Sequence, residues 1–293
     1  MSSARITPHT AFRDRLRLVE CRYLRSTFLS RWELYTRPYF AQQAQILSTW
    51  LLRSDPLPLS IDIQPELVVP FQALIPIILP HRARWEYVEV YPHVKELIEI
   101  VGPMPLLRCL TLSSYSGIEA ADTVAIHEAP LLRAVDLNSV ARKLTLPFAQ
   151  LTSLTLGQMY PHECVPILQQ TTHLVYCRLS VFADNNVPQP PGCAQDISLP
   201  FLKSLNIANY GTDPVTVCFS NLIVPALRHL AIPEHSLRPY PINALSAFIQ
   251  RSGCTLETVH VSGVLKSRLP EGAYERAFPG VGRFILGGTS EDF

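Results

Sequence analysis

The chain of 293 residues is 47% hydrophobic and only 17% charged, so it can bury a large core and is too apolar for general disorder. Its net charge of +1 excludes a strong overall field for nucleic acid, and its seven cysteines include no C-x-x-C pair that would indicate a zinc site. No apolar run reaches the roughly 20 residues that a membrane helix needs, and the Arg-rich first 30 residues do not resemble a signal peptide. We therefore expect a cytoplasmic or nuclear protein that binds neither nucleic acid nor membrane.

The N-terminal part is predicted to be helical over residues 11–53. Seven arginines between Arg13 and Arg37 alternate with apolar side chains, which is typical of a basic amphipathic helix. These charges either form a solvated helix face or contact an acidic partner, a membrane or a nucleic acid. A second helical stretch follows, and its apolar stripe consists of Ile46, Leu47, Trp50 and Leu51. We assign residues 1–54 to an N-terminal helical segment that caps the apolar end of the domain after it.

Residues 55–293 repeat one short pattern: an apolar anchor, two residues, a second apolar residue, one residue and a third apolar residue. The last two apolar positions alternate as in a strand with one buried face, and the anchor precedes that strand. Successive anchors are 19–29 residues apart, close to the period of leucine-rich repeats. The alternative is an ordinary α/β sheet with short strands. The anchors are Trp85, Leu107, Leu132, Leu151, Leu174, Leu202, Leu227, Leu256 and, less regularly, Val281.

Five of the nine units have a further signature, a proline two residues before the anchor. Proline has no N–H to donate, so it suits the point just before a ladder of hydrogen bonds begins. Regular leucine-rich repeats also place Asn or Cys three residues after the last strand leucine, and none of these units does so. The repeats are therefore degenerate. The prolines are Pro105, Pro130, Pro200, Pro225 and Pro279.

The connectors between the units are predicted to hold three helices and one loop. The helices cover residues 93–102, 162–170 and 242–253, and the last of them stops at Gly253. Residues 183–199 are rich in Pro and Gly and predict an exposed loop. An additional strand is predicted within residues 55–63, before the first anchor. Together these elements predict a curved, mostly parallel sheet with helices and loops on its convex side.

Two short motifs were considered for chemistry. Residues 160–164, "YPHEC", predict a helix N-terminus at which Glu163 is favoured by the helix dipole, and the alternative is a nucleophile pair of Cys164 and His162. Residues 280–288, "GVGRFILGG", predict a repeat strand with turns at both ends, because they lack the third glycine of a dinucleotide fingerprint. We predict no catalytic residues, no cofactor and no metal, and an enzyme is the least favoured class.

The strand pattern also predicts where a partner binds. Residues between the buried strand positions point to the opposite, concave face of the sheet. Tyr and Arg on this face are residue types enriched at protein interfaces, although an ordinary solvated sheet face is the alternative. The candidate partner-binding residues are Tyr87, Thr111, Asp136, Thr155, Tyr176, Arg178, Asn206, His229 and His260.

Several segments between residues 40 and 265 follow one another in a distinctive order. They are "ILSTWLLRSDPLPLSI" (46–61), "HRARWEYVEV" (81–90), "GPMPLLRCLTL" (102–112), "APLLRAVDL" (129–137), "LPFAQLTSLTL…HECVPILQQTTHLVYCRLSV" (146–181), "LPFLKSLNI" (199–207), "VPALRHLAI" (224–232) and "FIQRSGCTLETVHVSG" (248–263). In this order they resemble the F-box/leucine-rich-repeat-like proteins of mushroom-forming fungi. The resemblance implies a leucine-rich-repeat domain that receives substrates and an F-box that docks the adaptor of a cullin-type ubiquitin ligase. The F-box itself is missing or eroded, since its Leu-Pro-x-Glu type opening is not present and "LVECRYL" (18–24) retains at most its closing helix.

The sequence thus predicts an α/β fold, an irregular leucine-rich-repeat solenoid over residues 55–293 with an N-terminal helical cap. The predicted function is a protein–protein recognition module that serves as a substrate-recognition component of a cullin-type ubiquitin ligase. The alternative is a leucine-rich-repeat scaffold that is unrelated to ubiquitin and binds no adaptor. In both cases the partner is a protein.

Overall fold

The computed structural model describes residues 37–63, 71–90, 102–113, 124–139, 144–182, 196–209, 221–263, 269–270 and 272–287. These residues divide into two compact units, one that ends at Pro147 and one that begins at Phe148. The predicted boundary near residue 54 stays a prediction. The predicted helices at residues 11–36 and 93–101, and the F-box remnant at residues 18–24, lie outside the described residues.

The first unit contains a parallel sheet in the order β1–β2–β3–β5, with a separate parallel pair of β4 and β6. Its helices lie before β2, and α2 continues directly into a 3₁₀ helix. The helical stretch before residue 54 and the strand within residues 55–63 are confirmed by α1 and β1. The elements are α1 (Arg37–Arg53), β1 (Leu59–Ile63), α2 (Phe71–Ile78), the 3₁₀ helix Leu79–Arg84, β2 (Trp85–Val90), β3 (Cys109–Ser113), β4 (Val124–Ala125), β5 (Ala134–Asn138) and β6 (Leu144–Thr145).

The second unit contains a parallel sheet in the order β7–β8–β10–β12–β13–β14 and a parallel pair of β9 and β11. Helix α3 contacts β7, and α4 contacts β11. The elements are the 3₁₀ helix Phe148–Gln150, β7 (Ser153–Met159), α3 (Pro161–Leu168), β8 (Tyr176–Val181), β9 (Ile197–Ser198), β10 (Ser204–Asn209), β11 (Leu222–Ile223), β12 (His229–Pro233), the 3₁₀ helix Glu234–Leu237, α4 (Pro241–Ser252), β13 (Thr258–Ser262), α5 (Ala273–Ala277) and β14 (Arg283–Leu286). The α/β class with a mostly parallel sheet is confirmed.

The repeated apolar pattern accounts for the core of both units. In each of the first eight sequence units, the anchor and both apolar strand residues are buried. In the ninth unit they are less buried, and Leu286 is 40% exposed, because β14 has a sheet partner on one side only. Burial of a Leu side chain contributes about 2 kcal/mol, so this ladder is a large part of the folding free energy.

The prolines before the anchors have a structural role that the sequence did not specify. The anchor N–H donates to the carbonyl of the residue three positions earlier, as in Leu202 to Leu199 (3.2 Å) and Leu227 to Val224 (3.1 Å). Proline therefore occupies the second position of a four-residue turn, where its fixed φ is favoured. The same turn closes without proline at Leu151 and Leu174. Each strand thus begins from a locally defined turn.

A second recurring contact links each unit to the one before it. The carbonyl of Lys203, one residue after its anchor, accepts hydrogen bonds from both Arg228 N (3.0 Å) and His229 N (3.0 Å) of the next unit. The carbonyl of Arg228 likewise accepts from Glu257 N (2.8 Å) and Thr258 N (3.0 Å). These shared acceptors set the parallel register at the first residue of each strand.

Connectors contribute more strands than predicted. The end of the predicted 183–199 loop forms β9, which pairs with β11, and residues 183–195 lie outside the described residues. The apolar side chains of Ile197 and Leu199 are buried there, which corrects the prediction of an exposed loop for this end. Helix α4 confirms the predicted helix at 242–253. It ends at Gly253, whose φ of +61° and N–H to Ile249 O bond (2.9 Å) form a left-handed cap.

Two polar contacts tie connectors to their units. In the first unit, the guanidinium of Arg84 donates to the carbonyls of Leu51 (2.9 Å), Ser54 (2.7 Å) and Leu57 (2.8 Å). Leu51 is in the last turn of α1, where carbonyls lack intrahelical donors, and Ser54 and Leu57 follow the end of the helix. In the second unit, Tyr274 Oη donates to the buried carboxylate of Glu234 (2.9 Å). Burial and this hydrogen bond raise the pKa of Tyr274 above its ordinary value.

Candidate functional site

The register of the second unit arranges the predicted partner-binding residues in two rows that cross the strands. Neighbouring strands are about 4.8 Å apart, so side chains in one row are close neighbours. The first row runs through Ser153, Tyr176, Ser204, His229, Thr258 and Arg283. The second row runs through Thr155, Arg178, Asn206, Ala231, His260 and Ile285.

The first row is the accessible one. Tyr176 is 54% exposed, because its neighbours in the row are the small side chains of Ser153 and Ser204. His229 is half-buried, and Arg283 is exposed at the last strand of the sheet. An aromatic ring that stands above small polar neighbours offers its faces to a partner.

The second row differs from the prediction at two positions. Asn206 and His260 are buried, with 7% and 2% of their surface exposed, and the intervening Ala231 is buried as well. The imidazole Nε2 of His260 lies 2.6 Å from the carbonyl oxygen of Gly287, at the end of the neighbouring strand. The prediction that Asn206 and His260 present their side chains to a partner is therefore corrected. Thr155 and Arg178 in this row are half-buried.

The first unit holds the remaining three predicted residues on two rows of its own sheet. Tyr87 lies in register with Ser60, Cys109 and Ala134. Thr111 and Asp136 lie in a row with Asp62 and Glu89, which makes that row acidic.

Two ionisable side chains of the first of these rows have shifted pKa values. Burial, with a smaller effect from the charge of Glu86, raises the pKa of Cys109 to about 11. Burial raises the pKa of Tyr87 as well, and Glu86 adds to the shift. At neutral pH the Cys109 thiol is protonated and a poor nucleophile.

Sequence reasoning missed the strip of residues at which the strands of the second unit begin. Phe201, directly before an anchor, is 54% exposed, and its ring stacks on His173 with centroids 6.0 Å apart and an interplanar angle of 5°. Three of the six positions directly after the anchors of this unit carry charged side chains, Lys203, Arg228 and Glu257, and Arg228 forms an ion pair with Glu257. The missed signal was the residue on either side of each anchor. We call this strip the starting edge; it comprises His173, Tyr176, Phe201, Lys203, Arg228, Glu257 and Arg283.

The charge of the starting edge is uneven. Lys203, Arg228 and Arg283 are cationic and exposed, and Glu257 is the one carboxylate among the seven residues of the strip. Arg178 adds a fourth cation two residues beyond Tyr176 on the same face of β8. An excess of cations beside exposed aromatic rings favours acidic, partly apolar ligands.

The motifs considered for chemistry have structural roles. Residues 161–168 form α3, and the carboxylate of Glu163 accepts a hydrogen bond from Tyr160 N (2.8 Å) as part of a capping box. Cys164 is fully buried in this helix, while the ring of His162 stacks on Tyr160. The predicted strand within residues 280–288 is β14.

Two further findings concern the described residues alone. They contain no group of three or more His, Cys, Asp or Glu side chains placed to hold a metal ion. Within the same ranges, every helix is too short or too polar to cross a membrane. Comparisons of the chain with protein-family models, with curated proteins and with solved structures find no match.

Proposed function

We propose that the chain is a degenerate leucine-rich-repeat protein whose second unit recognises another protein through the starting edge and the accessible first row. The observation that carries the proposal is that two large aromatic side chains, Tyr176 and Phe201, are each 54% exposed on neighbouring units of the parallel sheet. Large aromatic side chains are costly to leave in water, and they supply much of the binding energy at protein interfaces. The assignment to leucine-rich repeats is supported by eight units with three buried pattern positions each and by the turn that recurs at most of the anchors.

A recognition role suits this surface better than catalysis. Each strand contributes one side chain to a row at a spacing of about 4.8 Å, which builds an extended surface and not a closed cleft. The described cavity of about 510 Å³ lies in the first unit and is lined by three prolines, Leu79, Ala83 and Arg82. A lining of this kind offers one charged group, whereas acid–base or nucleophilic chemistry requires convergent polar groups.

The first experiment compares partners captured by the protein and by two variants. The protein is immobilised and exposed to an extract of its own organism's cells, and bound proteins are identified by mass spectrometry. We expect Tyr176→Asp to lose at least one partner that the matched variant Tyr240→Asp retains, because Tyr240 is 69% exposed but lies outside the starting edge. The partner is then purified and titrated against all three proteins. Retention of every captured protein by Tyr176→Asp contradicts the proposed role of this surface.

A more specific function follows from the family resemblance: a substrate-recognition component of a cullin-type ubiquitin ligase. In this case the second unit holds the substrate and another part of the chain docks the ligase adaptor. Purified adaptor titrated against the full chain in isothermal calorimetry separates the two readings. Stoichiometric binding supports the ligase role. If no heat of binding is detected at high micromolar concentrations, the experiment supports the alternative, a scaffold that acts without an adaptor.

A further inference from the structure

We infer that the ligand of the starting edge is an acidic, extended segment of a partner protein with an apolar side chain at one end. The inference rests on the proposed function, since it names the chemistry of the partner at the same surface. It assigns the apolar end to the exposed rings of Tyr176 and Phe201, and the carboxylates to Lys203, Arg228 and Arg283.

The aromatic end is built from two exposed rings on neighbouring units. Phe201 is held in place by its stack on His173, whose Nδ1 lies 2.9 Å from the carbonyl oxygen of Ala149. Tyr176 lies in register between two serines, so a side chain of a ligand can contact its ring without displacing a bulky neighbour. An aliphatic or aromatic residue suits these exposed rings better than a charged one, because its contact with a ring buries apolar surface.

The charged end follows along the strands in one direction. From β8, which carries Tyr176, to β14, which carries Arg283, there are four strand spacings of about 4.8 Å, or about 19 Å in total. An extended chain covers this distance with about six residues. Lys203 and Arg228 are exposed and directly precede β10 and β12, the two strands that follow β8 in this direction, so carboxylates spaced along such a segment can approach these cations in turn. Arg228 already pairs with Glu257, which leaves Lys203 and Arg283 as the more available charges.

An acidic polypeptide explains these features better than nucleic acid or a second copy of the chain. Nucleic-acid-binding domains are as a rule strongly basic, with an isoelectric point above about 9, whereas this sequence has one near 7.7. A second copy would have to offer its own acidic row, Asp62, Glu89 and Asp136. None of the residues in that row is an exposed apolar side chain, so the row does not supply the apolar end that the ligand needs.

The test is a selection from a displayed library of random twelve-residue peptides against the full-length protein. We expect the enriched peptides to carry a net charge of about −2 or below and one Phe, Leu, Ile or Trp, as order-of-magnitude consequences of the two available cations Lys203 and Arg283 and the exposed aromatic rings. The best peptide is synthesised and titrated by fluorescence anisotropy. Its Kd is expected to weaken at least about tenfold between 50 and 300 mM salt, since exposed charges are screened over roughly 10 Å.

Matched variants separate this ligand chemistry from the general function. We expect Lys203→Glu and Arg283→Glu each to weaken the peptide about fivefold or more, and Tyr176→Ser about tenfold, whereas Arg251→Glu and Tyr240→Ser change it less than about twofold. Neutral or basic peptides that still depend on Tyr176 would overturn the inference and leave the proposed function intact. Peptides that bind independently of Tyr176, or no enriched peptide at all, would overturn both.

Two further measurements test the competing ligands. A labelled twelve-nucleotide poly(U) that binds more tightly than the selected peptide overturns the inference in favour of nucleic acid. Sedimentation velocity at 50 mM salt tests self-association. Dimers that vanish in the Asp136→Asn variant overturn it in favour of a second copy, and a monomer at this ionic strength supports the peptide ligand.

Discussion

The assignment of Leu205 to the core face of β10 and of Ser204 to its opposite face can be tested by one pair of substitutions. Leu205 is 1% exposed and lies in register between Cys177 and Leu230, which are also buried, so the site has little room to collapse. Leu205→Ala removes the equivalent of three methylene groups at about 0.8 kcal/mol each, or about 2.4 kcal/mol. The cavity that remains raises the expected loss to about 3–4 kcal/mol, within the range observed for buried leucines.

The matched control is the preceding residue on the same strand. Ser204 is on the opposite face and half-buried, so Ser204→Ala is expected to change stability by less than about 0.5 kcal/mol. Urea unfolding followed by far-UV circular dichroism measures both. A shift of the strand by one residue would exchange the two faces. A Leu205→Ala loss below about 1 kcal/mol, or a larger loss for Ser204→Ala, would therefore refute the register.

Three further predictions concern the polar contacts. Arg84→Lys should destabilise the protein by about 2–3 kcal/mol in urea unfolding, because one ammonium group cannot reach three divergent carbonyls, whereas Arg53→Lys on the exposed end of α1 should leave the midpoint nearly unchanged. Tyr274→Phe should cost about 1.5–3 kcal/mol at pH 7 through the lost bond to Glu234. The pKa of Tyr274 is raised in the folded state, so the contribution of this side chain to the free energy of unfolding is complete below about pH 10 and is lost as the pH rises further. The decrease of the urea midpoint at alkaline pH should therefore be smaller in Tyr274→Phe than in the native protein. Because the pKa of Cys109 is raised to about 11, its thiol in the native protein should react with iodoacetamide at pH 8 about a hundredfold more slowly than in urea. Peptide mass mapping measures both rates, and equal rates would contradict the burial of Cys109.

The strands that follow the anchors could be predicted from the sequence because their apolar pattern is local. An anchor followed by two alternating apolar residues fixes both the start of a strand and its buried side, and the anchors from Trp85 to Leu256 are all buried. The pattern says which side of a strand faces the core, but not what covers its other side. For this reason Asn206 and His260 were placed on an open face, although both are buried.

The missed features depend on contacts between distant residues. The guanidinium of Arg84 reaches carbonyls about 30 positions earlier in the chain, and no periodicity in the sequence signals this. The short strands β9 and β11 have two residues each, too few for an alternating pattern. The stack of Phe201 on His173 joins two units at the position before the anchor, which the three-position template leaves out.

The turns and shared carbonyls at the anchors affect which insertions, deletions and duplications such a protein tolerates in evolution. A strand's register depends on four residues of its own turn and on one carbonyl of the preceding unit, so the length of the connector does not enter it. Units as far apart as 28 residues (Leu174 to Leu202) and 25 residues (Leu202 to Leu227) accordingly sit in one continuous ladder. Insertions and deletions in connectors leave the rows of side chains across the sheet aligned, whereas a single-residue insertion between anchor and strand would disrupt them. Tandem duplication of a whole unit would lengthen the surface by one more side chain per row.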